Sequence, residues 1–308
     1  MNQHIRTIAI LGAGAVGSYL VMGLSDKYKE NLWVIADGER KDRLAKNGLN
    51  INDKVYSLHV KTPAEAHGVD LLFVCTKYTQ LRDSLPDIET ITDEHTMVVS
   101  LLNGVDSEEL IGQRIGMEHM IYSLIRIASH RIGNSIHFSL PKGYNGIYIG
   151  IPNQPACQDP RLAAIAEIFA DTPVTLHLSD DILLDMWDKF GLNVSRNLPQ
   201  AILGVGIGVY DDSIYADAIM RKMRHEVVLV ANAKGIPLTD EFKAAKWLPS
   251  QRYSTLQDLD AHRHTEIDMF SGALIRMGKE VGVECPYNEM TYNLIKALEE
   301  KNDGKFDY

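Results

Sequence analysis

Short, almost purely apolar runs recur through the first third of the chain. They are Ile8-Ala9-Ile10-Leu11, Asn31 to Ala36 with Leu32-Trp33-Val34-Ile35 at its centre, Asp70 to Cys75, and Met97 to Leu101. None alternates apolar with polar residues, so each reads as a strand buried on both faces, the pattern of a parallel sheet covered by helices. The stretches between them read as helices. Ser18 to Leu24 continues from the first run, and charged Glu39-Arg40-Lys41-Asp42-Arg43-Leu44 opens another that stops near Asn47-Gly48. Strands alternating with helices predict an α/β fold with a doubly wound parallel sheet, whose ligands sit at the C-terminal ends of the strands. Val55 to Val60 looks like a strand lying off this sheet.

Between Met120 and Gly150 the pattern changes. Ile121 to Ile127, Ser135 to Phe138 and Tyr148-Ile149 alternate like antiparallel strands around turns at Gly133-Asn134 and Gly143-Tyr144-Asn145-Gly146. Pro160 to Ala170 reads as a helix and Val174 to Leu178 as a last strand. From Asp180 onward the periodicity is helical almost throughout, which predicts two domains, residues 1–179 with the sheet and 180–308 all helical. Leu183, Trp187, Phe190 and Val194 form an apolar stripe on the first helix of the second domain. Asp217 to Ala233, Thr265 to Gly282 and Asn288 to Glu300 are further predicted helices. Gly282 suits a C-cap, Cys285-Pro286 a turn, and Lys301 to Tyr308 a frayed polar tail.

Composition narrows the partners. The 308 residues carry a formal charge of -10, which argues against broad nucleic-acid or anionic-membrane binding, because such partners need a basic surface. No apolar stretch reaches membrane-span length, and Met1 to Arg6 leads into the first strand without a signal-peptide layout, so a cytoplasmic location is expected. Cys75, Cys157 and Cys285 are far apart in apolar or turn contexts, which fits incidental thiols better than a disulfide framework or zinc site.

The first strand runs directly into Gly12-Ala13-Gly14-Ala15-Val16-Gly17 and then into a helix. Strand, G-x-G-x-x-G and helix in that order are the dinucleotide-binding fingerprint of a Rossmann-type sheet. Gly12 permits the tight turn, Gly14 lets the main chain approach a pyrophosphate, and Gly17 lets the helix lie close on the strand. The helix N-terminus then offers free N–H groups to the phosphates. Asp37 lies 20 residues beyond Gly17, at the end of the second strand, where a carboxylate accepts hydrogen bonds from ribose hydroxyls and repels a 2′-phosphate. The same residue suits a helix N-cap, and Arg40, Lys41 and Arg43 could instead hold a phosphate. Lys77, in Thr76-Lys77-Tyr78-Thr79-Gln80, and Asn103, before Gly104, stand at two further strand ends.

The helical domain carries its own candidates. Lys189, Asn193 and Asn197 are spaced i, i+4, i+8 and make a polar row beside the apolar stripe, suited to an oxygen-rich small molecule. Thr265-x-x-Asp268 has the form of a capping box, which would place Glu266 in a helix's first turn. His262, Arg263 and His264 read as a hydrated connection, and no set of residues is full enough for a metal site.

Taken together, these residues resemble the ketopantoate reductase (2-dehydropantoate 2-reductase) family. The likeness is carried by the glycine loop, Thr76-Lys77-Tyr78-Thr79-Gln80, Leu102-Asn103-Gly104, Trp187-Asp188-Lys189-Phe190 with Asn193 and Asn197, Ser254-Thr255-Leu256-Gln257-Asp258, Thr265-Glu266-Ile267-Asp268 and Gly282 to Asn288, all in family order. The resemblance implies reduction of the C2 ketone of 2-dehydropantoate to pantoate, a step towards pantothenate and coenzyme A, with hydride from NADH or NADPH. It implies Lys189 as general acid and Glu266 as its catalytic partner in binding substrate. Ser254 would address the substrate carboxylate, Asn193 and Asn197 its 4-hydroxyl. Lys77 and Asn103 would lie between nicotinamide ribose and substrate. Gly12 to Gly17, Asp37, Lys77, Gln80 and Asn103 form the implied cofactor set. The family commonly has an arginine where Asp37 stands, so this departure favours NADH. A homodimer is compatible with the resemblance, with a small 2-oxo acid as the other partner. Two rival readings are a family reductase for another 2-oxo acid and a catalytically silent NAD(P)-binding redox sensor. Lys189, Asn193, Ser254 and Glu266 together argue against the sensor.

Overall fold

Every residue of Ile8–Leu11 is buried in strand β1, the strand that the rest of the sheet is built around. In this computed structural model residues 4–138, 145–242, 248–306 and 308 are described. From β1 the chain passes through helix α1 (Ala15–Tyr28), β2 (Leu32–Ile35), α2 (Gly38–Asn47), and three short strands, β3 (Leu49–Ile51), β4 (Lys54–Tyr56) and β5 (His59–Lys61). Next come β6 (Leu71–Val74), α3 (Tyr78–Ile91), β7 (Met97–Ser100), α4 (Ser107–Ile115), β8 (Met120–Arg126), β9 (Ser129–Ile132), β10 (Ser135–Phe138), β11 (Gly146–Gly150), α5 (Pro160–Phe169) and β12 (Leu176–Leu178). The chain divides into two compact units, Met1–Leu183 and Leu184–Tyr308.

The first unit holds an eight-stranded sheet in the order β12-β11-β8-β7-β6-β1-β2-β5 and a small sheet β4-β3-β10-β9. All neighbours in the main sheet are parallel except β11 and β8. Leu11 pairs with Ile35 on one side and Val74 on the other, so β2, β1 and β6 end level with one another. Tyr19, Leu20 and Leu24 of α1 seal one face with Phe169, and Leu81, Ile88 and Ile111 seal the other. Burial on both faces is why these strands carry no alternation.

One sequence expectation is corrected in this unit and another is extended. Val55 to Val60 is not one strand off the main sheet: Lys54–Tyr56 belongs to the small sheet, whereas His59–Lys61 pairs with β2. That edge position leaves one flank open, so the polar His59 and Lys61 are tolerated there, and the Lys61 ammonium lies 3.2 Å from the Trp33 ring centre. The antiparallel reading of Ile121 to Ile127 holds against β11, but the same strand, Met120–Arg126, also runs parallel to β7 and so joins the main sheet. Met120 to Ile125 are all buried, the polar Ser123 included, as expected of a strand covered on both faces. Gly133-Asn134 does turn β9 into β10, while Gly143 and Tyr144 lie outside the described residues.

One buried carboxyl of this unit, on a helix beside the sheet, has a measurable consequence. Glu108, in the first turn of α4, is buried and accepts a hydrogen bond from the Ser107 hydroxyl at 2.8 Å; that hydroxyl is also 2.8 Å from the Ser100 hydroxyl. Burial pushes its pKa from the ordinary 4.5 up to about 8, against the opposing pull of Ser107. Between those values the folded chain keeps a proton that the unfolded chain has released. Stability therefore falls as pH rises across this window, by at most about 1.4 kcal/mol per pH unit. Glu108→Gln keeps the hydroxyl contact and removes the titration. Urea midpoints measured at pH 5, 6.5 and 8 should decline for the native chain and less for the variant; parallel declines would refute the assignment.

The second unit is helical: α6 (Ile182–Leu192), a π-helical turn (Asn193–Asn197), α7 (Leu198–Leu203), α8 (Val209–Asp212), α9 (Ile214–Ala233), α10 (Ser254–Asp260), α11 (Ser271–Val281) and α12 (Pro286–Asn302). Trp187, Phe190 and Val194 are buried, with Trp187 edge-on to Phe190 at 5.7 Å. A further correction falls here. The helix expected from Thr265 to Gly282 begins only at Ser271, and no capping box forms at Thr265. Instead the Thr265 amide and hydroxyl both donate to Glu299 at 2.7 Å, and Asp268 accepts from the Tyr292 hydroxyl at 2.7 Å and pairs with Lys296 at 2.9 Å. Partners on α12 outcompete the local motif. Burial would raise the Asp268 carboxyl's pKa, but the Tyr292 hydroxyl and Lys296 ammonium hold it below the usual range. Cys285-Pro286 starts α12 rather than merely turning: Pro286 is at its first position, and the Glu226 carboxylate accepts the Tyr287 and Asn288 amides.

Candidate active site

Four of the expected cofactor positions lie at the C-terminal ends of parallel strands in the first unit. Taken across the sheet they follow the strand order: Asn103 after β7, Lys77 after β6, the glycine loop after β1, and Asp37 after β2. That edge is where open α/β sheets bind ligands.

The loop is tight where it must be and open where a ligand needs it. Gly12 has φ +110°, and a Cβ there would come within 2.6 Å of the Cys75 carbonyl oxygen. A Cβ on Gly17 would overlap the Gly12 carbonyl oxygen, so only glycine lets α1 sit this close to β1. Gly14 is exposed, and a Cβ there would meet nothing within 4 Å. Gly14 is also the N-cap of α1, makes no side-chain cap, and is followed by a first turn without acidic residues. Free N–H groups, open space and no negative charge suit the pyrophosphate of a dinucleotide, with Ala13, Ala15 and Val16 shaping the loop between the glycines. Beside it, the buried Thr76 hydroxyl has no hydrogen-bond partner among the described residues.

Asp37 is exposed and does cap α2, its Oδ1 accepting the Gly38 amide at 2.7 Å. Of the basic residues on α2, Lys41 is committed to Glu65 at 2.6 Å; the Lys41 ammonium and the Thr62 amide hold that carboxyl down to about 2. Arg40 and Arg43 are exposed. Lys77 and Gln80 are exposed at the start of α3, and Asn103 is half-buried. The Tyr78 hydroxyl donates to Asp106 at 2.6 Å and braces the Lys77 turn against the Asn103 loop. No local pattern announces that brace, because its partners lie in separate loops. The Cys75 thiol, raised by full burial, is inert packing.

In the second unit Lys189 is half-buried on α6, and Asn193 and Asn197 bound the π-turn. The single α-helical row is thus corrected: the last part of it is a wider turn, in which Asn197 Nδ2 donates to Asn193 Oδ1 at 3.3 Å. Ser254 is exposed as the first residue of α10, a helix that packs on the π-turn and α7. The buried Gln200 fixes that start, donating to the Gln251 carbonyl at 2.8 Å and accepting the Tyr253 amide at 2.9 Å. Glu266 is half-buried in the turn before α11, not in the first turn of a helix. Phe270 of that turn meets Phe190 of α6 at 6.4 Å, which sets the Glu266 turn beside the helix of Lys189. His262 and Arg263 stay exposed, as does His264, which pairs with Asp303 at 3.0 Å. Among the described residues no group of three or more His, Cys, Asp or Glu is placed to hold a metal, and no helix is long and apolar enough to cross a membrane.

Residues 8–154 match the family model described as ketopantoate reductase PanE/ApbA, and residues 181–299 match its C-terminal model. Among curated proteins, a 2-dehydropantoate 2-reductase of Streptococcus pyogenes is 27% identical over 95% of this chain and 97% of its own. One of Pyrococcus horikoshii is 28% identical over 96% and 99%. Among solved structures, a D-mandelate dehydrogenase with NADH and anilino(oxo)acetate superposes with a TM-score of 0.81 at 26% identity, covering 96% of this chain and 99% of that one. A PanE/ApbA family ketopantoate reductase from Ralstonia eutropha gives 0.78 at 25%, with the same coverage.

Proposed function

Because this chain belongs to the ketopantoate reductase family of NAD(P)-dependent oxidoreductases, we propose that it reduces 2-dehydropantoate to pantoate with NADH. The observation that carries this reading is the π-turn. It sets the Asn193 and Asn197 amides side by side beyond Lys189, with the helix of Ser254 against it. One cation, two amides and a hydroxyl match the ketone, hydroxyl and carboxylate of a 2-oxo-4-hydroxy acid.

When bound, the reduced nicotinamide supplies a hydride to C2 of the ketone. The chain's part is to bind, orient and protonate. Lys189 stabilises the charge that develops on the ketone oxygen and gives it a proton, which it recovers from solvent. Ser254 holds the carboxylate, Asn193 and Asn197 the 4-hydroxyl, and Glu266 supports substrate and lysine. Lys77 and Asn103 address the nicotinamide ribose and substrate. At the other end Asp37 accepts from the adenosine ribose hydroxyls and repels a 2′-phosphate, while Lys41 is occupied with Glu65.

A second reading has an observation of its own. The D-mandelate dehydrogenase structure holds NADH and an aryl-substituted oxo acid analogue, and its TM-score with this chain is 0.81. A 2-oxo acid with another skeleton is therefore the competing substrate. One assay separates the readings: initial rates with 2-dehydropantoate, benzoylformate, 2-oxoisovalerate and pyruvate, each with NADH and NADPH. The expected result is the highest kcat/KM for 2-dehydropantoate and about a tenfold preference for NADH, equivalent to about 1.4 kcal/mol. A higher value on benzoylformate would replace the substrate, and a preference for NADPH would overturn the role of Asp37.

A further inference from the structure

We propose that Arg224, which lies outside every group assigned above, is a positioning residue that holds the π-turn and thereby aims Lys189, Asn193 and Asn197. The proposal rests on the reading of those three as proton donor and substrate ligands.

In a regular α-helix each i+4 step overshoots a full turn by about 40°, so a row spaced i, i+4, i+8 drifts round the axis. A π-turn needs more residues to go round, so its i+4 step falls short instead. From Asn193 to Asn197 the drift reverses, and Asn197 swings back towards the line of Lys189. The turn type thus decides where the second amide points. π-turns are uncommon and survive where their surroundings over-determine them.

Arg224 acts on the helix that leads into the turn. It projects from α9, is 1% exposed, and donates from Nη2 to Asp188 Oδ1 at 3.1 Å and from Nη1 to the Asp188 carbonyl at 3.3 Å. Its Nε and Nη2 reach the Thr239 carbonyl on the other side, at 3.3 and 2.9 Å. Asp188 immediately precedes Lys189, so the fork grips α6 at the residue that sets the lysine's rotation. One turn on, a Cβ at Gly191 would overlap Arg224 Nη1. Other side chains catch the carbonyls of the widened turn: the Ser195 hydroxyl donates to Gly191 at 2.6 Å and the Tyr210 hydroxyl to Arg196 at 2.5 Å. Arg196 and Arg224 also share the Phe242 ring, at 4.5 and 5.2 Å. A buried guanidinium is costly to desolvate and a weak source of stability, which points to specifying this geometry as its role.

Gly191→Ala is the sharpest probe. Alanine in a helix interior is ordinarily favourable, but here its methyl must displace the guanidinium. Arg224→Met removes the fork, Arg224→Lys keeps the charge without it, and Ile295→Val, in the core of α12, controls for lost stability alone. Three readouts are taken on the full chain: kcat and KM for the 2-oxo acid, the NADH dissociation constant, and the rate of Lys189 acetylation by acetic anhydride, located by mass spectrometry. Gly191→Ala, Arg224→Met and Arg224→Lys should each lower kcat about 10- to 100-fold at unchanged NADH affinity and shift Lys189 acetylation at least about threefold. Gly191→Ala/Arg224→Met should be no worse than either single change, because both act through one contact. The control should move neither kcat nor acetylation. Gly191→Ala and Arg224→Lys with native kcat and native acetylation would overturn the proposal. A native chain inactive on every 2-oxo acid would sink the functional reading instead, while the acetylation rates would still decide the positioning role.

Discussion

Lys189→Ala is expected to abolish most turnover, lowering kcat by about 10³-fold while leaving NADH affinity within about twofold. The size follows from the two tasks assigned to one ammonium. It opposes the charge that builds on the ketone oxygen as hydride arrives, and it then delivers the proton; neither amide of Asn193 or Asn197 can do the second. The expected indifference of NADH affinity follows from where the proposed cofactor groups lie, on the loop Gly12 to Gly17 and at Asp37, both in the first unit. Steady-state rates with 2-dehydropantoate, paired with a fluorescence titration of NADH, separate the two effects. Activity within tenfold of native would remove Lys189 from the chemistry. A parallel collapse of NADH affinity would show that the substitution had damaged the fold rather than the reaction.

The second large effect separates two glycines of one motif. Gly17→Ala forces a methyl into the Gly12 carbonyl where buried α1 packs on buried β1 and neither can readily yield. Overpacking of this kind costs about 3 kcal/mol, which lowers the melting temperature by roughly 10 °C in a unit of this size. Gly14→Ala meets nothing within 4 Å and has φ −83°, which any residue adopts. Its stability should stay within about 0.5 kcal/mol of native. The methyl instead enters the open space proposed for the pyrophosphate, so NADH affinity should fall by about tenfold or more. Equal melting temperatures for the two variants would contradict this packing, and undiminished NADH binding by Gly14→Ala would contradict the placement of the phosphates.

Much of this arrangement is legible in the sequence because it is local. The strands buried on both faces, the glycine loop and the Asp37 cap are each written in a few consecutive residues, and Lys189 and the two asparagines in a short helical spacing. The rest is set from a distance. The π-turn depends on Arg224, which sits at a core-facing position of α9 between Met220 and Val227 and reads as a surface arginine until Asp188 and Thr239 are seen around it. The capping motif at Thr265 fails because Glu299, Tyr292 and Lys296 offer Thr265 and Asp268 stronger partners than the next amide. Glu266 consequently lies in a turn whose position the helical pattern does not anticipate. The edge strand His59–Lys61 is hidden for a similar reason, since pairing with β2, and not its own composition, makes it part of the sheet.

The cap at Asp37 also bears on how readily such an enzyme changes its fuel. A basic residue at this position would welcome the phosphate that distinguishes NADPH, but it would forfeit the hydrogen bond to Gly38 that starts α2, at about 1 kcal/mol. The path from one dinucleotide to the other therefore runs through a less stable intermediate unless a neighbouring change restores the cap. Loss of the Glu65 carboxylate would release Lys41 and leave the helix start intact, but Asp37 would still repel the phosphate, so a change of dinucleotide is expected to need both positions.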